Sequence, residues 1–198
     1  DRLNANGIPI YLSTGWWDLT FPGYLIDVFN RLTVPKKLMI GPWNHGQAGD
    51  PELLRWFDYW LKGIDTGVMD EPSVHYGASE PSGATVWKGA PRLPLAEARP
   101  KTFYLSPEKS GTISSVNDGT LAASVSVESG EAVYDVDHSV SLGPLSRHSF
   151  YLDDLYINTP DLTARGEKCL TFTTPPLAED VEITGWPVVD LEMTTTSD

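Results

Sequence analysis

The spacing of hydrophobic positions changes near residue 70 and divides the chain into two parts. In the first part, residues 8–13 and 37–40 are short apolar runs of the kind that form buried parallel strands. Between them, apolar residues three and four positions apart predict a helix with Pro22 in its first turn. This order of elements predicts a βαβ unit with two neighbouring parallel strands.

A second helix is predicted after the second strand. Its start is indicated by Asp50-Pro51-Glu52, because Asp can cap, Pro fits the first turn and Glu favours the positive end of the helix dipole. Gly63 predicts its end. The expected apolar face consists of Leu53, Phe57, Trp60 and Leu61. Trp56 and Trp60 lie four residues apart, which predicts that they pack together in the core.

Strand-like runs replace the helical spacing beyond residue 70. These runs are residues 102–105, 121–127, 133–136, 169–174, 181–184 and 188–194. In the last run, Val189, Leu191 and Met193 alternate with polar residues, which predicts one buried face. Short strands separated by Gly, Pro, Ser and Asp predict a β-sandwich or jelly roll. The predicted fold class is α/β plus all-β, with domains at residues 1–65 and 71–198 and a boundary within residues 64–72.

Composition excludes several classes of function. Lys and Arg number 14 against 27 Asp and Glu, and the resulting net charge of −13 repels nucleic-acid phosphates. The single cysteine, Cys169, excludes an internal disulfide and a thiolate metal cluster. No apolar run reaches the length of a membrane span, and no signal segment is visible. We expect neither a nucleic-acid nor a membrane partner, and the sequence does not specify compartment or oligomeric state.

Two polar residues follow the two predicted parallel strands. Asp18 ends the motif GWWD, and His45 ends the motif GPWNH. Because parallel strands end at the same edge of a sheet, the topology can bring this carboxylate beside this imidazole. A carboxylate that accepts the Nδ1–H fixes the tautomer and stabilises the imidazolium. The alternative is that Asp18 caps the next helix and His45 is a loop histidine, and the two motifs by themselves leave both interpretations open.

GWWD followed by GPWNHG resembles the cocaine esterase/glutaryl acylase (CocE/NonD) family of serine hydrolases, relatives of the X-Pro dipeptidyl peptidases. In that family the first motif carries the triad acid and the second carries the base, which implies these roles for Asp18 and His45. Residues 55–63 and 170–198 also resemble the family. The resemblance implies the C-terminal part of an α/β-hydrolase domain followed by a jelly-roll β-sandwich of the galactose-binding-like type.

The family's nucleophilic serine lies on a Gly-x-Ser-x-Gly turn before the aspartate. No serine of this chain has glycine at both −2 and +2, and Ser13 and Ser79 have glycine on one side only. We therefore expect a chain that is truncated at both ends. It would supply the acid and base of an ester or amide hydrolase (acyl or X-Pro dipeptidyl), with the serine in the remaining part, on the same or another polypeptide. On its own the chain is expected to have little activity.

Four aromatic residues flank the two motifs and are candidates for lining a pocket for a small-molecule ester or amide substrate. They are Trp16, Trp17, Phe21 and Trp43. The alternative role is packing of the sheet against its helices, and Trp17 and Phe21 are the better pocket candidates. No cofactor is expected.

No metal site is expected either. The remaining histidines are His75, His138 and His148, and the acidic pairs are Asp135 with Asp137 and Asp153 with Asp154. The histidines lack metal-ligand spacing, and the acidic pairs match no calcium loop. An alternative function is a non-catalytic β-sandwich module that binds carbohydrate or protein, with Trp87 and Tyr134 as first contact candidates. A catalytically inactive interaction domain is a third interpretation.

Overall fold

Two β-sheets and four short helices make up the part of the chain that this computed structural model describes, residues 2–18, 21–43, 52–127, 130–137 and 163–196. The elements up to residue 90 are α1 (Arg2–Asn6), β1 (Ile10–Gly15), α2 (Phe21–Arg31), β2 (Lys36–Gly41), α3 (Leu53–Lys62), β3 (Val74–Ser79) and β4 (Thr85–Ala90). The later elements are β5 (Tyr104–Lys109), β6 (Gly119–Ala122), α4 (Thr163–Gly166) and β7 (Phe172–Thr173). None of the helices in these ranges has the length and hydrophobicity that a bilayer crossing requires.

The first sheet has the strand order β1-β2-β3-β4. Its first three strands are parallel, with Leu12, Leu38 and Val74 in register, and β4 is antiparallel to β3. The predicted pair of neighbouring parallel strands joined by a helix is confirmed. Because β3 and β4 follow residue 72, this sheet contains strands from both sides of the predicted domain boundary.

The helices α2 and α3 pack on opposite faces of the first sheet. Phe29 of α2 belongs to a core cluster with Leu38 and Val74. On the other face, Trp56 of α3 contacts Tyr11 of β1, with ring centroids 5.5 Å apart. Successive strand residues point to opposite faces, so β2 is covered on both sides and its residues from 37 to 41 are all buried.

The buried side of α3 differs from the predicted one. Trp56 is 3% exposed, whereas Leu53, Phe57 and Leu61 are exposed. The predicted apolar face is therefore wrong for these three residues, and only its fourth member, Trp60, is partly buried. Arg55, Asp58 and Lys62 share one side of this helix, and apolar residues cover the remaining, wider part. Contact with the sheet selects the Trp56 edge of that wide apolar part for burial. Two other predictions are confirmed. The rings of Trp56 and Trp60 lie 5.7 Å apart, and Gly63 ends the helix at a left-handed φ of 68°.

The second sheet has the order β5-β6-β7, with β5 antiparallel and β7 parallel to β6. The predicted strands over residues 133–136, 181–184 and 188–194 are wrong, because none of these residues lies in a strand. Val189 and Met193 are exposed, since no layer of the described residues covers them, and the predicted buried face is also wrong. The strands that do form are compatible with a β-rich second part, and the jelly roll stays a prediction.

The substitution Trp56→Ala tests which side of α3 holds it on the sheet. We expect it to lower the free energy of unfolding by about 3–5 kcal/mol, because it leaves a cavity against Tyr11. The matched variant Phe57→Ala, on the exposed side, should cost less than about 1 kcal/mol. Urea unfolding measures both values, and equal losses would contradict the burial assigned to Trp56.

Candidate active site

Asp18 lies in a tight turn directly after β1. Its backbone N–H donates to the carbonyl of Gly15 at 3.1 Å, and its own carbonyl accepts the N–H of Phe21 at 3.0 Å, where α2 begins. The side chain is 6% exposed, and its Oδ2 accepts a hydrogen bond from Thr14 Oγ1 at 3.3 Å. The strand end therefore holds a buried carboxylate at the carboxyl edge of the sheet, where the sequence analysis expected it.

Trp43 crosses the ends of β1 and β2 above two glycines. Gly15 and Gly41 are the last register pair of the two strands. A Cβ on Gly15 would lie 1.7 Å from the carbonyl oxygen of Trp43, and a Cβ on Gly41 would lie 1.9 Å from its ring. Only glycine at both positions lets the segment after β2 lie against the turn after β1. His45 follows by two residues and falls outside the described residues, so its contact with Asp18 stays a prediction.

The four aromatic candidates occupy two kinds of position. Trp16 packs against the core cluster and donates from Nε1 to the carbonyl of Gly77 at 2.6 Å. Trp43 covers Gly41, and its ring lies 5.8 Å from that of Trp87. Trp17 and Phe21 are 39% and 38% exposed. The latter pair can thus present apolar surface beside Asp18, whereas Trp16 and Trp43 serve mainly to pack.

The last described segment reaches back to α2. Trp186 Nε1 lies 2.7 Å from where a Cβ on Gly23 would be, and Glu182 forms an ion pair with Lys88 of β4. An aromatic ring from beyond residue 180 therefore lies near the start of α2, within two residues of Phe21 in sequence. Sequence reasoning missed this contact. The available signal was a glycine inside a helical pattern, which often marks a close approach.

A second polar cluster lies on the α3 face of the first sheet. Glu52, immediately before α3, accepts a hydrogen bond from Nδ1 of His75 on β3. Arg55 donates to both carboxylate oxygens of Glu71 at 3.2 and 2.6 Å, and Lys37 Nζ lies 3.7 Å from the same carboxylate. The hydrogen bond from Arg55 holds the pKa of the Glu71 carboxyl below its usual range. Sequence analysis treated His75 as isolated, because nothing in the spacing links it to residues 52–55.

The same cluster offers three possible metal ligands. One ligand atom each from Glu52, Glu71 and His75 lie within 4.8 Å of one another. However, two cationic side chains already contact Glu71, and a divalent cation there would meet like charge. The donor set fits an ion-pair network better than a divalent-cation site.

Some of the remaining residues that the sequence suggested as ligands or contacts lie in the described part of the chain, and others lie outside it. Asp137 forms an ion pair with Lys168 at 2.9 Å, so its carboxylate already has a cationic partner. Trp87 and Tyr134 are exposed, and the ring of Trp87 contacts Trp43 as described above. The candidates that lie outside the described ranges are His45, His138, His148, Asp153 and Asp154.

The chain is similar to known proteins over nearly its whole length. Residues 66–198 match the X-Pro dipeptidyl-peptidase C-terminal non-catalytic domain, and residues 1–47 match the X-Pro dipeptidyl-peptidase (S15 family). A protein of Mycobacterium bovis named as a serine esterase is 32% identical over 212 residues, which cover 98% of this chain and 32% of that protein. A protein of Bacillus cereus named as an Xaa-Pro dipeptidyl-peptidase is 24% identical over 186 residues, which cover 89% of this chain and 25% of that protein. The chain spans about a third or less of the length of these relatives.

The substitutions Gly15→Ala and Gly41→Ala test the close approach of Trp43. Each added methyl group collides with Trp43, and we expect each to cost about 1–3 kcal/mol of unfolding free energy. Gly166→Ala is the control, because its Cβ would meet only Ile113 at an ordinary 3.8 Å, and it should change the stability by less than about 0.5 kcal/mol. Chemical denaturation compares the three, and a cost for Gly166→Ala equal to the others would contradict the proposed contact.

The substitution Glu71→Gln tests the ion-pair network through its pH dependence. The folded-state pKa of Glu71 is lowered from the ordinary 4.5, so its stabilising contribution is present above pH 4.5 and is lost as the pH falls through the folded value. We expect the variant to melt below the unmodified protein at pH 7 and the difference to shrink on acidification. The same change at exposed Glu108 should leave Tm nearly unchanged throughout. A Tm difference for Glu71→Gln that is independent of pH would contradict the charge pairing.

Proposed function

Because the chain belongs to the X-Pro dipeptidyl-peptidase family, we propose that it supplies the acid and base of a serine hydrolase that cleaves ester or amide bonds. The bonds belong to an acyl ester, an acyl amide or an X-Pro dipeptide. The observation that carries the proposal is the buried Asp18 carboxylate at the sheet edge, with the segment that leads to His45 laid directly over Gly15.

In the proposed mechanism His45 is the general base and then the general acid. It takes the proton of a serine hydroxyl as that oxygen attacks the substrate carbonyl, and it returns a proton to the leaving group. Asp18 accepts the Nδ1–H of His45, keeps the required tautomer and stabilises the imidazolium. Thr14 supports this role, because its hydroxyl donates to one carboxylate oxygen and limits rotation of the side chain.

The nucleophilic serine is assigned to a part of the enzyme outside these 198 residues. No serine here has the flanking glycines of a nucleophile turn. The domain that residues 66–198 match is described as non-catalytic, which supports assigning the chemistry to residues before 66. In this proposal residues 1–65 end a hydrolase domain, and residues 71–198 form an accessory β domain.

The substrate pocket is proposed to lie beside Asp18, with Trp17 and Phe21 on its wall. Both are partly exposed, and apolar aromatic surface suits an acyl group or a proline ring. Trp186 lies against Gly23 on the same helix, so the accessory part can add a third aromatic ring to the rim. Trp16 and Trp43 are assigned a packing role at the same sheet edge, because Trp16 contacts the core cluster and Trp43 covers Gly41.

The substitutions Asp18→Asn and His45→Ala test the catalytic assignment. In the protein expressed from its complete natural reading frame, we expect each to lower kcat by about 10⁴-fold, because the base loses its orientation or is removed. Asp27→Asn is the matched control, since Asp27 is an exposed α2 residue paired with Arg31, and it should leave kcat unchanged. Ester and X-Pro amide substrates are both assayed by steady-state kinetics.

A fluorophosphonate probe separates the placement of the serine from the roles of Asp18 and His45. The 21.8 kDa chain should gain no adduct mass, because it lacks the activated serine. The protein from the complete reading frame should gain one adduct, and more slowly in both variants. An adduct on the 21.8 kDa chain would refute the external serine. Full activity of both variants would refute the triad and favour a non-catalytic binding module.

A further inference from the structure

We infer that the open edge of β1 and the exposed apolar side of α3 form the surface on which the remaining, serine-bearing part of the proposed hydrolase docks. This edge surface is defined by Ser13 of β1 and by Leu53, Phe57 and Leu61 of α3. The inference rests on the proposed function, which assigns the serine to a part outside these 198 residues. It adds which face of the chain that part contacts and that it contributes a strand.

The first sheet is open at β1 among the described residues, because the strand order begins there. On the β2 side, Ile10 and Trp16 donate their N–H groups to the carbonyls of Pro35 and Gly41, both at 2.9 Å. Successive residues of a parallel strand direct their backbone groups to opposite neighbours. The backbone N–H and C=O of Ser13 therefore point away from β2, where no described strand pairs with them.

β1 lacks the features that usually keep an edge strand from pairing. Natural edge strands carry charged residues, proline or a bulge, because these features prevent the addition of another strand. The sequence of β1, IYLSTG, contains no charge and no proline, and its register with β2 is continuous. The strand at the opposite edge, β4, carries Lys88, which is paired with Glu182. The composition of β1 is therefore that of an interior strand.

The exposed apolar side of α3 projects past the same edge. Arg55 bonds to Glu71, which lies in the segment that leads into β3. The next residue, Trp56, contacts Tyr11 of β1. Each helix residue is turned about 100° from the one before it. The rotation that leads from the β3 side to β1 therefore carries Phe57 beyond β1, over the open edge.

This side of α3 is a strip of large apolar residues. Leu53 and Leu61 lie one turn before and one turn after Phe57, so the three share a side. They are 39%, 77% and 46% exposed, in that order. Adjoining exposed apolar residues often mark a surface that contacts another part of a protein. The small stability cost expected above for Phe57→Ala applies to the 198-residue chain, in which this side is exposed.

Two polar atoms near this edge are shielded from water and have no hydrogen-bond partner among the described residues. They are Ser13 Oγ and Trp60 Nε1. Ser13 shares the α3 face of β1 with Tyr11, because alternate strand residues point to the same face, and the ring of Trp60 lies 5.7 Å from that of Trp56. Buried polar atoms are nearly always hydrogen-bonded. A further segment packed at this edge would supply the partners.

The position of Asp18 indicates which occupant fits the edge surface. β1 ends at the turn that buries Asp18, so a strand added parallel to β1 would end beside that carboxylate. The nucleophile of the proposed mechanism follows a strand, and the triad requires it to approach the edge where Asp18 lies. The relatives contain enough further chain, since the matched residues are 32% of the Mycobacterium bovis protein.

A second copy of this chain fits the edge surface less well. It would bring a net charge of −13 against an equal charge. Around a two-fold axis the two β1 strands would run antiparallel, so the two Asp18 turns would lie at opposite ends of the shared edge. Such a copy would also bring no serine on a nucleophile turn.

Photocrosslinking in the purified protein from the complete reading frame tests the edge surface. The photoreactive residue p-benzoylphenylalanine replaces Phe57, whose ring it resembles. After irradiation, peptide mass spectrometry should find this position joined to sequence outside these 198 residues. The control is the same replacement at Lys62, which lies on the polar side of α3 and pairs with Asp58. Its yield of such crosslinks should be at least about fivefold lower, because that side faces solvent.

Hydrogen exchange reads the strand edge in the same protein without any substitution. With single-residue resolution, the Ser13 amide should exchange at least about 100-fold more slowly than in an unstructured peptide, because a neighbouring strand accepts its N–H. The Leu12 amide, which faces β2, is the internal reference for a paired position. Exchange of Ser13 at the unstructured rate would overturn the inference. Crosslinks from position 57 that stay within these 198 residues, in the same chain or in a second copy, would overturn it as well.

Neither readout requires catalytic activity, so the inference and the proposed function can fail separately. If Asp18→Asn and His45→Ala lose activity while position 57 forms no crosslink outside these 198 residues, the inference fails alone. If both variants keep full activity, the proposed function fails, and the assignment of the occupant as the serine-bearing part fails with it. Loss of activity together with crosslinks to the outside sequence supports both.

Discussion

The arrangement at the sheet edge depends on a steric constraint at one pair of glycines. Gly15 and Gly41 end neighbouring strands side by side, and neither position has room for a single methyl group beneath Trp43. Because the backbone after β2 can lie this close, it meets the turn that buries Asp18. Parallel strands bring their ends to one edge in any case. The two glycines turn that general proximity into direct contact between the two motif-bearing segments.

Cationic side chains in this acidic chain are used inside the fold as well as on its surface. Lys36 donates to the carbonyl of Phe29 at 2.7 Å near the end of α2, where positive charge is favourable, and burial lowers its pKa. Lys37 and Arg55 neutralise Glu71 between the sheet and α3. The α2 face is apolar, whereas the α3 face combines an aromatic contact with ion pairs. Such pairs require particular partners, and they therefore favour one placement of α3.

The two parts of the chain have different tasks in the proposed enzyme. The strands and helices before residue 66 hold the acid and lead to the base. The later residues add β3 and β4 to the same sheet and bring Trp186 to Gly23. The ion pair between Lys88 and Glu182 joins the last described segment to that sheet. An accessory part connected in this way can shape a pocket while taking no part in proton transfer.

The sequence by itself determined the local elements whose signals are strong and short in range. Apolar runs predict the parallel strands, and the polar residues after them predict the turn that holds Asp18. Gly63, which adopts a left-handed conformation, predicts the end of α3. Tertiary structure alone decided which part of the wide apolar side of α3 is buried, because that side is broader than the contact with the sheet. It also decided that residues 188–194 are exposed among the described residues, although they alternate like a strand. The contacts between Glu52 and His75 and between Gly23 and Trp186 join residues far apart in sequence. No periodicity encodes such pairs, because they arise only when the sheet sets the distance between the segments.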